Sequence, residues 1–464
     1  MICYGALMPH APVLISEIGG QRVNDVQATV KAMQEVAARL VASQPDCVLF
    51  LTPHGNVFSD CITYLVEDNL EGDLGDFGQP QIRTSRVNNP ALLDAIAELA
   101  LDSNVEFVAI NENLAERFKL MTSLDHGIMV PLYFLEQAGI GDVPIAAISI
   151  GLLNNQSLYV FGQMIQEASN LLNQKVAIVA SGDMSHRLKE DGPYGFHPDG
   201  SRFDLAIKEA LGSGDVLSIL EIPPVLRENA GECGYPSLLI LLGAMDRFKI
   251  VSDLISYEGP FGVGYMTAGI EPGEIKASML GIMRIIQNEK MNARRAEESP
   301  LVRWARLNLE SEVTRNPPPQ LEEDMQGLLE ERAAVFVSLK KQGQLRGCIG
   351  TFLPSYENLA EEIAQNARAA GLEDPRFNPV QVQELKDIEY SVDVLSRPEP
   401  CSAAELDPRK YGVIVTKGSR RGLLLPDLEG VDTVEQQLRI ACQKADISYQ
   451  EDFKIERFEV KRYT

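Results

Sequence analysis

All five histidines of this 464-residue chain lie within its first 197 residues. Histidine is the commonest metal ligand and the side chain that most easily moves protons near neutral pH. A random scatter along the chain would seldom leave every position after residue 197 without one. We therefore expect the chemistry, and a metal ion with it, in the N-terminal part of the chain. The five are His10, His54, His126, His186 and His197.

A carboxylate could join two of these histidines in a metal site. Two imidazoles and one carboxylate on one face of a metal ion, with the other positions open, form the site of non-heme Fe(II) oxygenases. The best carboxylate is Glu232, in a small-residue GECG turn before an apolar helical stretch. A buried acid there would be costly without a partner. Cys233 is the alternative, because a thiolate is a softer ligand that suits zinc or copper better.

Short apolar runs and longer amphipathic segments alternate from residue 1 to about 275. This alternation predicts an α/β fold, with a mostly parallel sheet flanked by helices. Ligands of such folds bind beyond the carboxyl ends of the strands. His10, His54 and His186 each follow a strand pattern, so we expect them to share that crevice. The clearest strand segments are residues 46–51, 143–150 and 175–180, and the clearest helical ones are 26–42 and 157–173.

The length of the chain predicts two domains or more. We expect an α/β domain over residues 1–275, a helical and polar linker over 276–299, and a smaller α+β domain over 300–464. The linker contains the polar run NEKMNARRAEESP. The last unit combines a few helices with strand patterns such as AAVFVSL, IEYSVDVL and YGVIVTK.

The composition excludes several classes of partner. The net charge of −24 argues against nucleic acids and anionic membrane surfaces, since both need clustered Lys and Arg. No apolar run approaches the roughly 18 residues that span a bilayer, and the N-terminus lacks the features of a signal peptide. Seven widely spaced cysteines without a CxxC pair are typical of reduced thiols. We expect a cytoplasmic protein, and its oligomeric state stays open, a homo-oligomer included.

Five segments together resemble a known family. In order along the chain they read HAP, TPHG, LDHGIMVPL, GDMSH and GECG. Over residues 1–275 the chain is similar to the LigB-type class III extradiol ring-cleaving dioxygenases and to the Memo-type proteins of the same fold. This resemblance implies that His10, His54 and Glu232 bind Fe(II). It also implies that His186 is the catalytic acid/base and that His126 is a second active-site histidine, which contacts the substrate.

The resemblance implies a small catechol-like aromatic substrate, with O₂ as co-substrate. An imidazole with an ordinary pKa near ~6.5 suits the acid/base role given to His186. A site with Cys233 as a ligand would instead hold Zn or Cu. Of the other polar residues in this part, we expect His197 in a surface loop and Asp204 at a helix cap. Asp183 fits an active-site acid and a turn residue equally well.

The last 165 residues contain a second set of reactive side chains, centred on the motif LRGCIGT. We expect Arg346, Cys348 and Arg376 to converge on a groove, because a thiol beside guanidinium groups has a larger thiolate fraction. The alternative is that Cys348 is a small buried residue on a central strand. Without a histidine, Ser-His or Cys-His catalysis within this domain is excluded.

The motif LRGCIGT, with ARAAGLEDPRFNPV, YGVIVTKGSRRGLLLP and ACQKADI, resembles the AMMECR-type domain over the whole second unit. The two resemblances together imply a protein of the AmmeMemoRadiSam system, and with it a radical-SAM protein partner. Two hypotheses follow. One is a metal-dependent dioxygenase or related oxidoreductase with an accessory domain. The other is a non-catalytic metal-binding or scaffold protein that serves a radical-SAM modification pathway.

Overall fold

The computed structural model describes residues 1–464 except 102, 104, 342, 343 and 429, and all side chains of the remainder but that of residue 287. The described residues form two compact units, Met1–Arg284 and Ile285–Thr464. The boundary falls inside the helix Met279–Glu297, in the segment predicted to be a helical and polar linker. Within the described part of the chain, no helix combines the length and apolar character needed to cross a membrane.

The first unit alternates strands and helices along the chain. Its strands are β1 Ile2–Met8, β2 Cys47–Thr52, β3 Cys61–Leu65, β4 Asn69–Leu74, β5 Gln79–Val87, β6 Glu106–Ile110, β7 Ile145–Ser149, β8 Val176–Ser181, β9 Phe248–Glu258 and β10 Tyr265–Ile275. Its helices are α1 Ser16–Gly19, α2 Gln27–Ala42, α3 Pro90–Leu101, α4 Glu112–Phe118, α5 His126–Gln137, α6 Asn155–Leu171, α7 Pro198–Ser213, α8 Val216–Leu220, α9 Pro224–Ala230 and α10 Tyr235–Ala244, and α11 Met279–Glu297 leaves the unit.

Eight of these strands form one sheet, in the order β6-β3-β7-β2-β8-β1-β10-β9. The central strands β7, β2, β8 and β1 pair in parallel, while β10 and β9 extend the sheet antiparallel. The carboxyl ends of β1, β2, β7 and β8 therefore meet at one edge. This mixed, mostly parallel sheet confirms the predicted fold class.

Helices cover both faces of the sheet, which explains the continuous apolar strand sequences CVLFLT and VAIVAS. Along β2, Leu49 and Leu51 lie in the core cluster that includes residues of α3, α6 and α10. Val48 and Phe50 point to the other face, in the cluster that includes residues of α2 and α5. All four side chains are fully buried. The rigid sheet thus fixes the position of whatever follows its strand ends.

The elements of the second unit are α12 Pro300–Thr314, β11 Ala334–Lys341, β12 Gln344–Gly350, α13 Leu359–Leu372, β13 Ile388–Leu395, β14 Glu399–Pro400, β15 Gly412–Lys417, β16 Arg420–Leu424, α14 Val434–Lys444, β17 Lys454–Phe458 and β18 Val460–Tyr463. The strands form two antiparallel four-stranded sheets, in the orders β12-β11-β13-β18 and β14-β17-β15-β16. Helices α12 and α13 pack on the first sheet and α14 on the second. This arrangement confirms the predicted α+β class.

Candidate metal centre

The carboxyl ends of two parallel strands bring His10 and His54 together. His10 stands two residues after β1 and His54 two residues after β2. Their Nε2 atoms lie 2.9 Å apart, and their ring centroids are separated by 4.5 Å. His10 is buried, with 3% of its surface exposed, whereas His54 is partly exposed. The structure thus places these two predicted ligands in one crevice.

The third histidine of the cluster is His126, the first residue of α5. The Asp125 carboxylate caps this helix by accepting the Gly127 N–H at 2.7 Å, and it also accepts the Thr52 hydroxyl at 2.7 Å. The His126 ring stacks on that of His54 with a centroid distance of 4.3 Å. Among the described residues, one group has all its potential ligand atoms within 4.8 Å of one another and could hold a metal ion: His10, His54 and His126.

The hydrogen bonds of His10 fix which ring nitrogen faces the cluster. The Ser181 hydroxyl donates its only proton to the Gly127 carbonyl oxygen. Ser181 Oγ, 2.9 Å from His10 Nδ1, must therefore accept the Nδ1–H. The lone pair of the neutral ring is then on Nε2, which faces His54. A metal-binding histidine is typically oriented by such a bond to its second nitrogen.

All three rings of the cluster are neutral at pH 7. Burial, and then the neighbouring His54 and His126, hold the pKa of His10 well below its ordinary value of 6.5. Burial and His126 lower the pKa of His54 to about 4, and burial also lowers the pKa of His126. Neutral imidazoles with adjacent nitrogens are a donor set that fits a divalent transition-metal ion.

The structure does not bring Glu232 into this cluster. One carboxylate oxygen lies 3.0 Å from Arg227 Nε, and the other accepts the Tyr235 N–H at the start of α10 at 2.7 Å. Burial raises the pKa of the carboxyl group, while Arg227 lowers it. The pair satisfies the buried charge without a metal. The set that the structure gathers therefore differs from the predicted set of His10, His54 and Glu232.

The Cys233 thiol lies closer to the histidines than the carboxylate of the preceding residue, Glu232, does. Its Sγ is 3.7 Å from His10 Nε2 and 3.6 Å from His186 Nε2, and it accepts the Asp183 N–H at 3.3 Å. Burial, and then Asp183, raise the pKa of this thiol well above 9. A metal that used the sulfur would first have to displace its proton.

His186 borders the cluster without belonging to the group of three. It lies in the turn after β8, and its ring stacks on Tyr194 with a centroid distance of 5.3 Å. Burial, and then His54, lower the pKa of His186 to about 4, below the ordinary value assumed from the sequence. At neutral pH this imidazole is therefore unprotonated, which is the form that a proton acceptor needs.

One residue that shapes the turn after β8, Asp204, was not identified as such from the sequence. Asp204 was expected at a helix cap, but it lies inside α7 and is buried, where it accepts the Ser185 N–H at 2.8 Å and the Tyr257 hydroxyl at 2.7 Å. The sequence could have indicated this burial, because Asp204 lies on the apolar face of that helix with Phe203 and Ile207. His197 is a partly exposed residue of the segment before α7, as expected, and its side chain also caps that helix.

Asp183, which the sequence left between two roles, lies in the wall of the crevice. Its carboxylate accepts the His10 N–H at 3.2 Å, and Oδ2 is 3.8 Å from His10 Nε2. Burial raises the pKa of Asp183 to about 7, and the His10 N–H counteracts part of this rise. The group is therefore both a turn residue and a titratable neighbour of the cluster.

The structure places Arg346, Cys348 and Arg376 around strand β12, but their charges are paired. Arg346 binds the Glu384 carboxylate at 3.1 and 3.0 Å, and Arg376 binds Asp374 at 2.9 and 2.7 Å. Arg376 also donates to the Cys348 carbonyl oxygen at 3.1 Å. The Cys348 thiol is partly exposed and accepts the Ser338 hydroxyl at 3.2 Å.

In the second unit we expect Cys348 to react fastest with a neutral alkylating reagent. Burial raises the pKa of Cys401 and of Cys442, so both stay protonated at neutral pH. Mass spectrometry of the native full chain after a short exposure to iodoacetamide compares the three sites directly. Labelling of Cys348 only after denaturation would show that it is a structural residue and that LRGCIGT does not carry a reactive thiol.

Comparison with known proteins finds relatives of both parts of the chain. A family model of the catalytic LigB subunit of aromatic ring-opening dioxygenases matches residues 4–268, and the AMMECR1 model matches residues 302–463. A Clostridium acetobutylicum protein is 41% identical over 462 residues, which cover 98% of each chain. A Thermotoga maritima protein is 55% identical over 170 residues, 36% of this chain and 98% of its own. A crystal structure from Pyrococcus horikoshii covers 35% of this chain and 88% of its own, with 31% identity and a TM-score of 0.33.

Proposed function

The chain belongs to the LigB family, with an AMMECR1 domain at its C-terminus, and on this basis we propose that it is a metal-dependent oxidoreductase that opens catechol-type rings with O₂. The observation that carries the proposal is the cluster of three neutral histidines at the strand ends, with the His10 Nε2 lone pair turned towards His54. The proposed metal is Fe(II). The proposed substrate is a small aromatic diol.

We propose His10, His54 and His126 as the metal ligands. This set keeps two of the ligands predicted from the sequence and replaces Glu232, whose two oxygens are engaged by Arg227 and Tyr235. Bound there, Fe(II) would supply the redox chemistry that joins O₂ to an aromatic ring. The protein's contribution is to hold the rings rigidly and to keep them unprotonated.

His186 is the proposed acid/base. A catechol hydroxyl that enters the crevice has a neutral imidazole beside it that can take up its proton and return it later. Tyr194, which is 63% exposed, stacks on this ring and covers His186 from one side. Phe77, which is 39% exposed, packs against His126 with a distance of 5.4 Å between the ring centroids. The two exposed aromatic rings suit a flat aromatic substrate at the mouth of the crevice.

Oxygen uptake tests the proposed activity. The full chain is loaded with Fe(II) under anaerobic conditions, freed of excess metal, and mixed with oxygenated buffer and a panel of catechols. We expect at least one catechol to consume one O₂ per ring opened, with the absorbance of a ring-opened product. Stoichiometric iron without oxygen uptake for any catechol would refute the dioxygenase proposal.

The number of protons released on metal binding tests the ligand set. At pH 8 the imidazoles of the cluster carry no excess proton, because their pKa values lie below 6.5, and Asp183, with a pKa of about 7, is mostly ionised. Binding through three histidines should therefore release about zero protons, whereas Cys233 as a ligand would release about one. Anaerobic calorimetry with Fe(II) in two non-chelating buffers of different ionisation enthalpy measures this number.

A second candidate function is a non-catalytic metal protein that serves a radical-SAM protein. Two observations favour it. Glu232 forms an ion pair with Arg227 and does not join the cluster, and an AMMECR1 domain follows the LigB domain. This candidate predicts the same metal binding but no oxygen uptake with catechols. It further predicts that the full chain forms a complex with a radical-SAM protein, which size-exclusion chromatography of the mixed proteins would detect.

A further inference from the structure

The second unit contains a cavity of about 720 Å³ whose lining includes neither Cys348 nor the other residues of LRGCIGT, although Phe352, Leu353 and Pro354 follow that motif directly. Its walls come from both sheets of the unit. Ala334, at the start of β11, pairs with Leu395, at the end of β13, and both line the cavity from the first sheet. Arg421 on β16 lines it from the second sheet. A volume of this size is typical of a site for a small organic molecule.

The inner surface of the cavity is mainly apolar. Ala334 and Leu395 are buried, while Phe352 and Leu353 keep 46% and 48% of their surface exposed beside them. Pro354 adds a further apolar wall. Half-exposed large apolar side chains at a cavity are favourable contacts for the hydrocarbon part of a ligand.

The polar part of the lining is dominated by arginine. Arg332 is anchored by the carbonyl oxygens of Tyr356 and Pro354, which are neutral, at 3.1 and 3.5 Å. Arg397 is exposed, and the structure gives its guanidinium no carboxylate partner among the described residues. Arg421 is paired with Glu456 at 3.1 Å, yet its Nε is buried without a hydrogen-bond partner in the described part.

These charges leave the cavity positive in a strongly acidic chain. Three guanidinium groups face one carboxylate, Glu456, in a protein whose net charge is −24. Guanidinium groups bind carboxylates in a planar, two-pronged manner. A cavity that is lined by apolar side chains and has uncompensated guanidinium groups selects an anion with an apolar body.

We propose that this cavity is a binding site for a small organic carboxylate with an aromatic or aliphatic body, with Arg332 and Arg397 holding the carboxylate. The ligand's apolar part lies against Phe352, Leu353 and Leu395. The site is independent of the histidine cluster, and it gives the AMMECR1 domain a ligand-binding role of its own.

The test is calorimetry of the metal-free full chain with 4-phenylbutyrate and with 4-phenylbutan-1-ol, a neutral probe of similar shape. We expect the acid to bind at least about tenfold more tightly than the alcohol, the size of one or two charge-assisted hydrogen bonds. Equal affinity for the two probes, or no binding of the acid, would overturn the proposal.

Substitutions locate the binding site. R397Q changes an exposed side chain, and we expect it to weaken binding of the acid about tenfold while binding of the alcohol stays unchanged. R332Q should act in the same direction. R409Q is the matched control, because Arg409 is 77% exposed, outside the cavity lining, and paired only loosely with Asp432 at 3.8 Å. If R397Q and R409Q bind the acid equally well, the carboxylate does not occupy this cavity.

Discussion

Replacing His54 by alanine should abolish tight binding of Fe(II), and replacing His10 should do the same. Each substitution removes one of three imidazoles whose ligand atoms lie within 4.8 Å of one another. Loss of an outer hydrogen-bond partner of a ligand already costs roughly 10–100-fold in affinity, so loss of a ligand should cost more. Metal analysis after anaerobic loading and gel filtration measures the effect, with one iron per chain expected for the parent protein.

His197→Ala is the matched control for these variants. His197 lies in the same unit, but its Nδ1 accepts the Asp199 N–H at the start of α7, away from the cluster. This variant should keep its iron. Ser181→Ala should show an intermediate loss, since it removes the acceptor of the His10 Nδ1–H. If both His10→Ala and His54→Ala hold iron as well as the parent protein does, the cluster is not the metal site.

His186→Asn should retain the iron but lose most of the turnover. The imidazole faces Cys233 and stacks on Tyr194, outside the group of three histidines, so metal binding does not depend on it. A general acid/base typically contributes about 10²–10⁴ in rate, and asparagine cannot replace it. Steady-state oxygen uptake with the best catechol, at equal iron content, gives the ratio.

The pH dependence provides a further check on the requirement for neutral imidazoles in the site, His186 included. The base must be neutral, and burial with His54 lowers its pKa to about 4. The parent rate should therefore hold as the pH falls from 8 to 6 and decline only as the pH approaches that value. Loss of iron in His186→Asn, or an unchanged rate, would contradict the role given to this residue.

The parallel sheet explains why much of the site could be predicted. The apolar segments 46–51 and 175–180 correspond to β2 and β8, since strands buried on both faces have nearly continuous apolar sequences. Once the strands are parallel, the residues just after them must meet at one edge. The proximity of His10 and His54 could therefore be predicted without knowledge of the tertiary packing, and the structure shows it.

The third residue of the histidine cluster could not be predicted in this way. In the structure the Glu232 carboxylate forms an ion pair with Arg227 of α9 instead of joining the histidines. His126 comes from α5 on another layer, and its contact with His54 is set by how that helix packs against the sheet. Such choices between neighbouring side chains depend on tertiary geometry, which the local pattern does not contain.

In the AMMECR1 domain, too, the sequence does not predict which side chains pair with one another. The motif LRGCIGT is visible in the sequence, but the pairing of Arg346 with Glu384 and of Arg376 with Asp374 is not, and it compensates the charges expected to act on the thiol. The cavity lined by Arg332, Arg397 and Arg421 combines residues from separate strands and loops. The sequence contains no motif for it.

X-ray absorption at the iron edge of the anaerobically loaded full chain tests the central claim most directly, because it counts the ligands of the metal by type. We predict the scattering pattern of three imidazoles, from His10, His54 and His126, with no sulfur neighbour. A sulfur neighbour of the iron would assign Cys233 as a ligand instead. A chain that stays free of iron under these conditions would contradict the metal centre itself.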